Sequence, residues 1–173
     1  MGYGVVGSSV MPSEARGRLG AGRAPASLGT TVRLIECGVV RTKSTDTLAR
    51  RLGTLFDGIS EIIDRHHPDA IAVEGLFHGR NARSALVLGH ARGVVLLAAT
   101  RAGLSVAEIS PAEVKRAVTG TGAATKTQVS AMVMKLLRLV AAPKPADAAD
   151  GVAIALTHLL RVQPRARLTA TRR

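Results

Sequence analysis

The sequence predicts an α/β protein in which helices flank a mixed β-sheet. Strand patterns lie early in the chain, and alternating strand and helix patterns follow from residue 47 onward. This order is typical of a mixed sheet with helices packed over it. The 173 residues, 46% of them hydrophobic, suffice for one domain with a buried core. We expect a single domain over residues 1–163 and a basic tail over residues 164–173.

The beginning of the chain is predicted to form a β-hairpin. Residues 2–6 (GYGVV) fit a short strand, and residues 31–42 alternate well enough for a second one. Between them, residues 7–30 are rich in Gly, Ser, Pro, Ala and Arg and have no apolar period. Such composition indicates a long flexible hairpin loop, with an interdomain linker as the alternative.

Apolar periodicity predicts the remaining elements. Helices are expected at residues 47–67, about 81–102, 111–118, about 126–139 and about 146–162, and strands at residues 70–73 and 105–109. Thr47 is placed to cap the first helix, and Pro68 follows its end. Residues 70–73 (AIAV) are wholly apolar, so we expect this strand to be buried on both faces.

The composition favours a nucleic-acid partner. Lys and Arg number 24 against 12 Asp and Glu, a net charge of +12 that attracts polyanions, with membrane surfaces as the alternative. No apolar stretch approaches the roughly 20 residues that a spanning helix needs. Aromatic residues make up 2%, too few for a protein that stacks single-stranded bases. A lone cysteine, Cys37, allows no internal disulfide and is consistent with a reducing cytoplasm.

Three acidic residues form a candidate metal site. Glu74 directly follows the apolar strand, and Asp147 and Asp150 share one helix face at i, i+3 spacing. Small and apolar residues flank the Asp pair, and burying it in a core-facing helix would be costly without a compensating cation. Carboxylate oxygens suit Mg²⁺ or Mn²⁺, and a carboxylate cluster suits two-metal phosphodiester hydrolysis. Alternatively, the Asp pair complements the helix dipole and Glu74 merely ends a strand.

Three motifs stand in order along the chain. They are residues 71–77 (IAVEGLF) running on through 81–93 (NARSALVLGHARG), residues 114–133 (VKRAVTGTGAATKTQVSAMV) and residues 144–155 (KPADAADGVAIA). Together they strongly resemble the RuvC family of Holliday-junction resolvases. Residues 37–42 (CGVVRT) match the third strand of that family less specifically, and the resemblance spans roughly residues 31–160.

The resemblance implies a ribonuclease H-like fold and Mg²⁺-dependent paired nicking of four-way junction DNA, with Mn²⁺ as a substitute ion. It also implies a homodimer formed through the helix at about 81–102 and work beside a branch-migration motor. By position, Glu74, Asp147 and Asp150 look like three of the four metal-holding acids of the family. Lys126 resembles the catalytic lysine that meets the scissile phosphate.

Four further residues are candidates for DNA contact. Lys115 resembles a second basic contact in the same groove, and Phe77 resembles the aromatic side chain that inserts near the junction centre. Arg80 and Arg83 follow Glu74 closely enough to bind backbone phosphate. The alternatives are core packing for Phe77 and solvated surface charge for the three basic residues.

The chain departs from the family pattern at its beginning. The first strand of the family carries an Asp-Pro-Gly motif whose Asp is the fourth acid, whereas residues 2–6 resemble the second strand and no Asp precedes Asp46. We expect a start placed too far downstream, or a truncated gene, in which case the full-length protein is an ordinary resolvase. The alternatives are a short paralogue that binds branched DNA without cutting it and a remnant that does not fold.

Overall fold

The computed structural model describes residues 1–10, 30–75 and 82–162, apart from the side chains of Val10, Thr30 and Arg83. The described part alternates strands and helices in a mixed α/β arrangement. Its elements are β1 (Gly2–Val10), β2 (Thr30–Val39), α1 (Leu48–His66), β3 (Ala70–Glu74), α2 (Ala82–Arg101), β4 (Ser105–Ile109), α3 (Pro111–Thr119), α4 (Lys126–Leu137) and α5 (Ala146–Val162).

The predicted hairpin is confirmed, and its strands differ from the predicted bounds. β1 pairs antiparallel with β2, with a β-bulge between Val5 and Val6. Residues 7–10, which were expected to begin a loop, continue β1 because they pair with residues 30–33. The rest of the predicted loop, residues 11–29, lies outside the described residues, and β2 ends at Val39 instead of residue 42.

The second pair of strands is parallel. β3 and β4 pair in register from Ala70 with Ser105 to Glu74 with Ile109, and α2 provides the crossover between them. The prediction that β3 is buried on both faces is wrong, because only Val73 is buried. Within the described residues β3 has one hydrogen-bonded neighbour, and the two strand pairs are not hydrogen-bonded to each other. Among the residues that the structure describes, no strand lies along the other edge of β3 to complete its burial.

Local capping signals fix the helix ends. Thr47 caps α1 as predicted, its side chain accepting a hydrogen bond from the Arg50 amide. α3 and α4 each begin with a capping box, at Ser110 and Thr125 respectively. Arg138 ends α4 in a left-handed conformation with φ of 54°, so the helix stops two residues before the predicted end.

The main hydrophobic core lies between the hairpin and the last three helices. Its buried members are Val118, Val133, Leu137, Val152, Ala153 and Leu156. Side chains of the hairpin pack against this cluster, among them Val6 and Leu34. α1 and α2 pack on each other, with the Arg101 guanidinium 5.9 Å from the ring centroid of Phe56. No described helix combines the length and the hydropathy needed to cross a membrane.

Candidate active site

A lysine and an aspartate from different helices meet at one end of the core. Lys126 is the first residue of α4, where the Thr125 capping box fixes the start of the helix. Its Nζ lies 2.9 Å from Oδ2 of Asp150 on α5. The two side chains are 72% and 52% exposed, so solvent reaches both members of the ion pair. The structure thus brings together two of the four residues predicted to be catalytic.

The acid pair lies on the solvent side of α5. Asp147 and Asp150 are exposed, whereas Ala148 and Val152 between and after them are fully buried. The expectation that these acids face the core is therefore wrong, and the predicted cost of burying them does not arise. The i, i+3 spacing does place both on one face, as predicted, and it is the exposed one. Asp147 also lies in the first turn of α5, where the helix dipole favours negative charge.

Glycines let β1 approach this acidic turn closely. A Cβ added to Gly2 would lie 1.9 Å from the carbonyl oxygen of Asp147. A Cβ added to Gly151 would lie 2.7 Å from the Cα of Tyr3. Real Cβ atoms do not come that close to backbone, so only glycine permits this packing. The position of the turn that carries Asp147 and Asp150 is therefore set by backbone contact with β1.

Glu74 occupies the predicted place at the carboxyl end of β3 and is exposed. Its backbone carbonyl accepts a hydrogen bond from the Arg92 guanidinium, and the next amide, of Gly75, donates to the Ile109 carbonyl at 2.8 Å. Arg92 also forms an ion pair with Glu108, with Nη2 2.5 Å from Oε1. No role was assigned to Arg92 from the sequence.

The three predicted metal ligands are held by neighbouring elements. α5, which carries the Asp pair, contacts both β3 and β4. Over the described ranges, no trio of Asp, Glu, His or Cys side chains is close enough to hold a metal ion. In the same part of the chain, the carboxylates of Glu74 and Asp147 form no hydrogen bond or ion pair. Their joint metal binding stays a prediction.

Of the four residues predicted to contact DNA, the structure describes the side chain of Lys115 alone. Phe77 and Arg80 lie outside the described residues, and so does the side chain of Arg83. Lys115 is half-buried on α3, and its carbonyl accepts a hydrogen bond from the Thr119 hydroxyl at 2.8 Å. Their roles in DNA binding stay predictions.

A polar cluster that sequence reasoning missed joins the hairpin to α1. The Tyr3 hydroxyl donates to Oε1 of Glu36 at 2.6 Å, while Arg65 and His66 approach the same carboxylate at 3.1 and 2.8 Å. The hydrogen bond from Tyr3, then those from His66 and Arg65, lowers the pKa of Glu36 from 4.5 to about 2. The hydrogen bond to Glu36 raises the pKa of Tyr3 from 10.0 to about 12. Strand alternation puts Tyr3 and Glu36 on one face, but the sequence does not show that the end of α1 reaches them.

α2 presents an apolar surface. Leu86 and Leu97, about three turns apart on one face, are 63% and 52% exposed, whereas Ala98 and Ala99 on the same helix are buried. Leu88 is 66% exposed but lies on a different face. Large exposed apolar groups on one element are typical of a protein interaction surface.

Comparison with known proteins gives a consistent result. A family model described as "Crossover junction endodeoxyribonuclease RuvC" matches residues 20–158. A relative of that name from Parafrankia sp. (strain EAN1pec) is 46% identical over 153 residues, which cover 88% of this chain and 86% of the relative. The solved structure of Thermus thermophilus RuvC superposes with a TM-score of 0.75 at 35% identity, covering 92% of this chain and 86% of that one.

A second solved structure, T. thermophilus RuvC in complex with a Holliday junction substrate, superposes with a TM-score of 0.73 at 39% identity. It covers 76% of this chain and 79% of that one.

Proposed function

The chain belongs to the RuvC family of crossover junction endodeoxyribonucleases and has their ribonuclease H-like fold, and we propose that it resolves four-way DNA junctions by hydrolysing phosphodiester bonds. The observation that supports this activity most directly is the position of Lys126, 2.9 Å from Asp150 on the turn that also carries Asp147. A cation beside exposed carboxylates can stabilise the charge that develops on a phosphodiester during hydrolysis.

The donor set fits Mg²⁺, with Mn²⁺ as a substitute. Glu74, Asp147 and Asp150 offer carboxylate oxygens, the ligands that these hard cations prefer, and all three residues are exposed. Glu36 makes a useful contrast, because its carboxylate is already occupied by three hydrogen-bonding side chains. A bound divalent cation would supply positive charge to the attacking and leaving oxygens of the phosphodiester.

Lys126 would neutralise charge on the phosphate. Exposed ion pairs contribute only about 0–1 kcal/mol, so exchanging Asp150 for a phosphate oxygen costs little. The ammonium group would then lie next to a phosphoryl oxygen whose negative charge grows in the transition state. Asp150, released from the lysine, becomes available as an oxygen ligand.

DNA binding would rest mainly on charge and shape. The net charge of +12 favours contact with many backbone phosphates, and Lys115 is proposed as one such contact. Arg80 and Arg83 are proposed to bind phosphate, and Phe77 is proposed to insert near the junction centre. Such an enzyme acts on chromosomal DNA, so we propose a cytoplasmic location. The family resemblance also leads us to propose a branch-migration motor as a partner.

Paired nicking requires two active sites related by symmetry. We propose that the exposed apolar face of α2 that carries Leu86 and Leu97 forms a homodimer interface. A two-fold dimer would present two identical sites to two strands of one junction, because the same surface serves both copies.

Cleavage of a synthetic four-way junction in Mg²⁺ tests the proposal. The protein should nick two opposing strands at symmetric positions and leave a linear duplex of the same sequence intact. Lys126→Ala should reduce the cleavage rate roughly 10²- to 10³-fold, the loss typical of one transition-state donor. Lys135→Ala is the matched control, because Lys135 is an exposed residue of the same helix. Wild-type rates in Lys126→Ala, or a wild-type protein that binds junctions without cutting them, would contradict the assignment.

A further inference from the structure

Arg92 is a charged residue that lies mostly in the protein interior. Its side chain is 13% exposed, the least among the arginines and lysines that form ion pairs in the described part of the chain. It shares a face of α2 with the buried residues Val95 and Ala99, three and seven positions later. Burying a guanidinium is costly unless its N–H donors form hydrogen bonds. The groups that accept these hydrogen bonds therefore indicate what the buried Arg92 does.

Both partners of Arg92 belong to the parallel strand pair. One nitrogen donates to the carbonyl of Glu74, the last residue of β3, and another lies 2.5 Å from the Glu108 carboxylate on β4. The planar guanidinium fork holds these two acceptors in a fixed relation, which the single ammonium group of a lysine cannot do.

Both polar groups of the peptide bond between Glu74 and Gly75 form hydrogen bonds. Gly75 donates its amide to Ile109 at 2.8 Å, and Arg92 holds the Glu74 carbonyl of the same peptide. The Glu74 side chain makes no polar contact within the described residues, so its direction depends on the backbone that carries it.

We propose that Arg92 is a positioning residue, which fixes the backbone of Glu74 so that its carboxylate is presented for metal binding. This inference rests on the proposed function. Because Arg92 projects from α2, it also ties the helix with the exposed apolar surface to the strand end that carries Glu74. Groups that orient metal ligands in this way typically contribute 10- to 100-fold in metal affinity or activity.

Metal binding provides a test that does not require activity. Binding of Mn²⁺ to the full chain is measured by the loss of the free-ion electron paramagnetic resonance signal. Arg92→Lys should raise the Mn²⁺ dissociation constant about 10- to 100-fold. Glu108→Gln, which leaves the contact with Glu74 in place, should raise it less. Arg101→Lys is the control on the same helix and should leave it unchanged.

A double substitution separates positioning from general stability. If Arg92 acts through Glu74, adding Arg92→Lys to Glu74→Gln should cause no further loss of Mn²⁺ affinity. Additive losses, or an unchanged dissociation constant in Arg92→Lys, would overturn the proposal. Junction cleavage measured in parallel distinguishes the two hypotheses. If Arg92→Lys raises the Mn²⁺ dissociation constant but the wild-type protein cuts no junction, the nuclease proposal alone is refuted. If the wild-type protein cuts junctions but Arg92→Lys leaves the dissociation constant unchanged, the role of Arg92 alone is refuted. A wild-type chain that binds no Mn²⁺ sinks both.

Discussion

Replacing Gly151 with alanine should separate stability from activity. The added Cβ would lie 2.7 Å from the Cα of Tyr3 and 2.8 Å from its carbonyl carbon, both backbone atoms. Carbon atoms pack best about 3.5–4.0 Å apart, so α5 and β1 must separate by roughly 0.8 Å. Overpacking of this kind costs about 1–3 kcal/mol, and the better helix propensity of alanine offsets about 0.8–1.0 kcal/mol of that. The net loss in unfolding free energy should be about 0–2 kcal/mol.

The effect on cleavage should be larger than the effect on stability. Asp150 immediately precedes Gly151, so the displacement moves a predicted metal ligand by a large part of an ångström. Misplacement of about 1 Å can cost 10²-fold in rate, and we expect junction cleavage to fall by about 10- to 100-fold. Single-turnover cleavage and urea unfolding of the same preparation measure the two quantities.

Gly53 provides the matched control. It lies in α1, and an added Cβ would meet no atom within 4 Å. Gly53→Ala should raise the unfolding free energy by about 0.5–1 kcal/mol and leave cleavage unchanged. If Gly151→Ala cuts junctions at the wild-type rate, the close contact with β1 does not set the position of the acidic turn.

Two further predictions concern pH and assembly. The pKa of Glu36 is about 2 in the folded chain against 4.5 ordinarily, so its contribution to stability is present above pH 4.5 and is lost as the pH falls toward 2. Tyr3→Phe should reduce the fall in unfolding free energy between pH 4.5 and pH 2, measured by urea unfolding at each pH. A pH dependence equal to that of the wild type would contradict the role of the Tyr3 hydrogen bond. Leu97→Glu should convert a dimer into a monomer in analytical ultracentrifugation, whereas Val140→Glu, at a residue 101% exposed, should leave it dimeric. A monomeric wild type would refute the α2 interface.

The helices could be predicted from the sequence because their signals are local. Thr47, Ser110 and Thr125 mark three helix starts by interacting with residues only three positions away. Strand properties depend on partners elsewhere in the chain. The extension of β1 to Val10 follows from its pairing with β2, and the incomplete burial of β3 follows from its having one neighbouring strand in the described part of the chain.

The candidate site shows the same division. Spacing and resemblance predicted that Asp147 and Asp150 share a face and that Lys126 belongs with them. Periodicity gives the angle between two side chains and does not show which way the helix faces, so the exposure of the pair was predicted wrongly. Arg92 was missed because its partners Glu74 and Glu108 lie 18 and 16 positions away, and only the fold brings them together.

The most direct test of the proposed metal centre is the location of bound Mn²⁺ in crystals of this protein, found by anomalous diffraction. We predict density contacted by carboxylate oxygens from Glu74 at the end of β3 and from Asp147 and Asp150 on α5, at roughly the 2.0–2.1 Å typical of small divalent cations. Density at another site, or at the Asp pair with Glu74 turned away from it, would contradict the claim that these three acids form one metal centre.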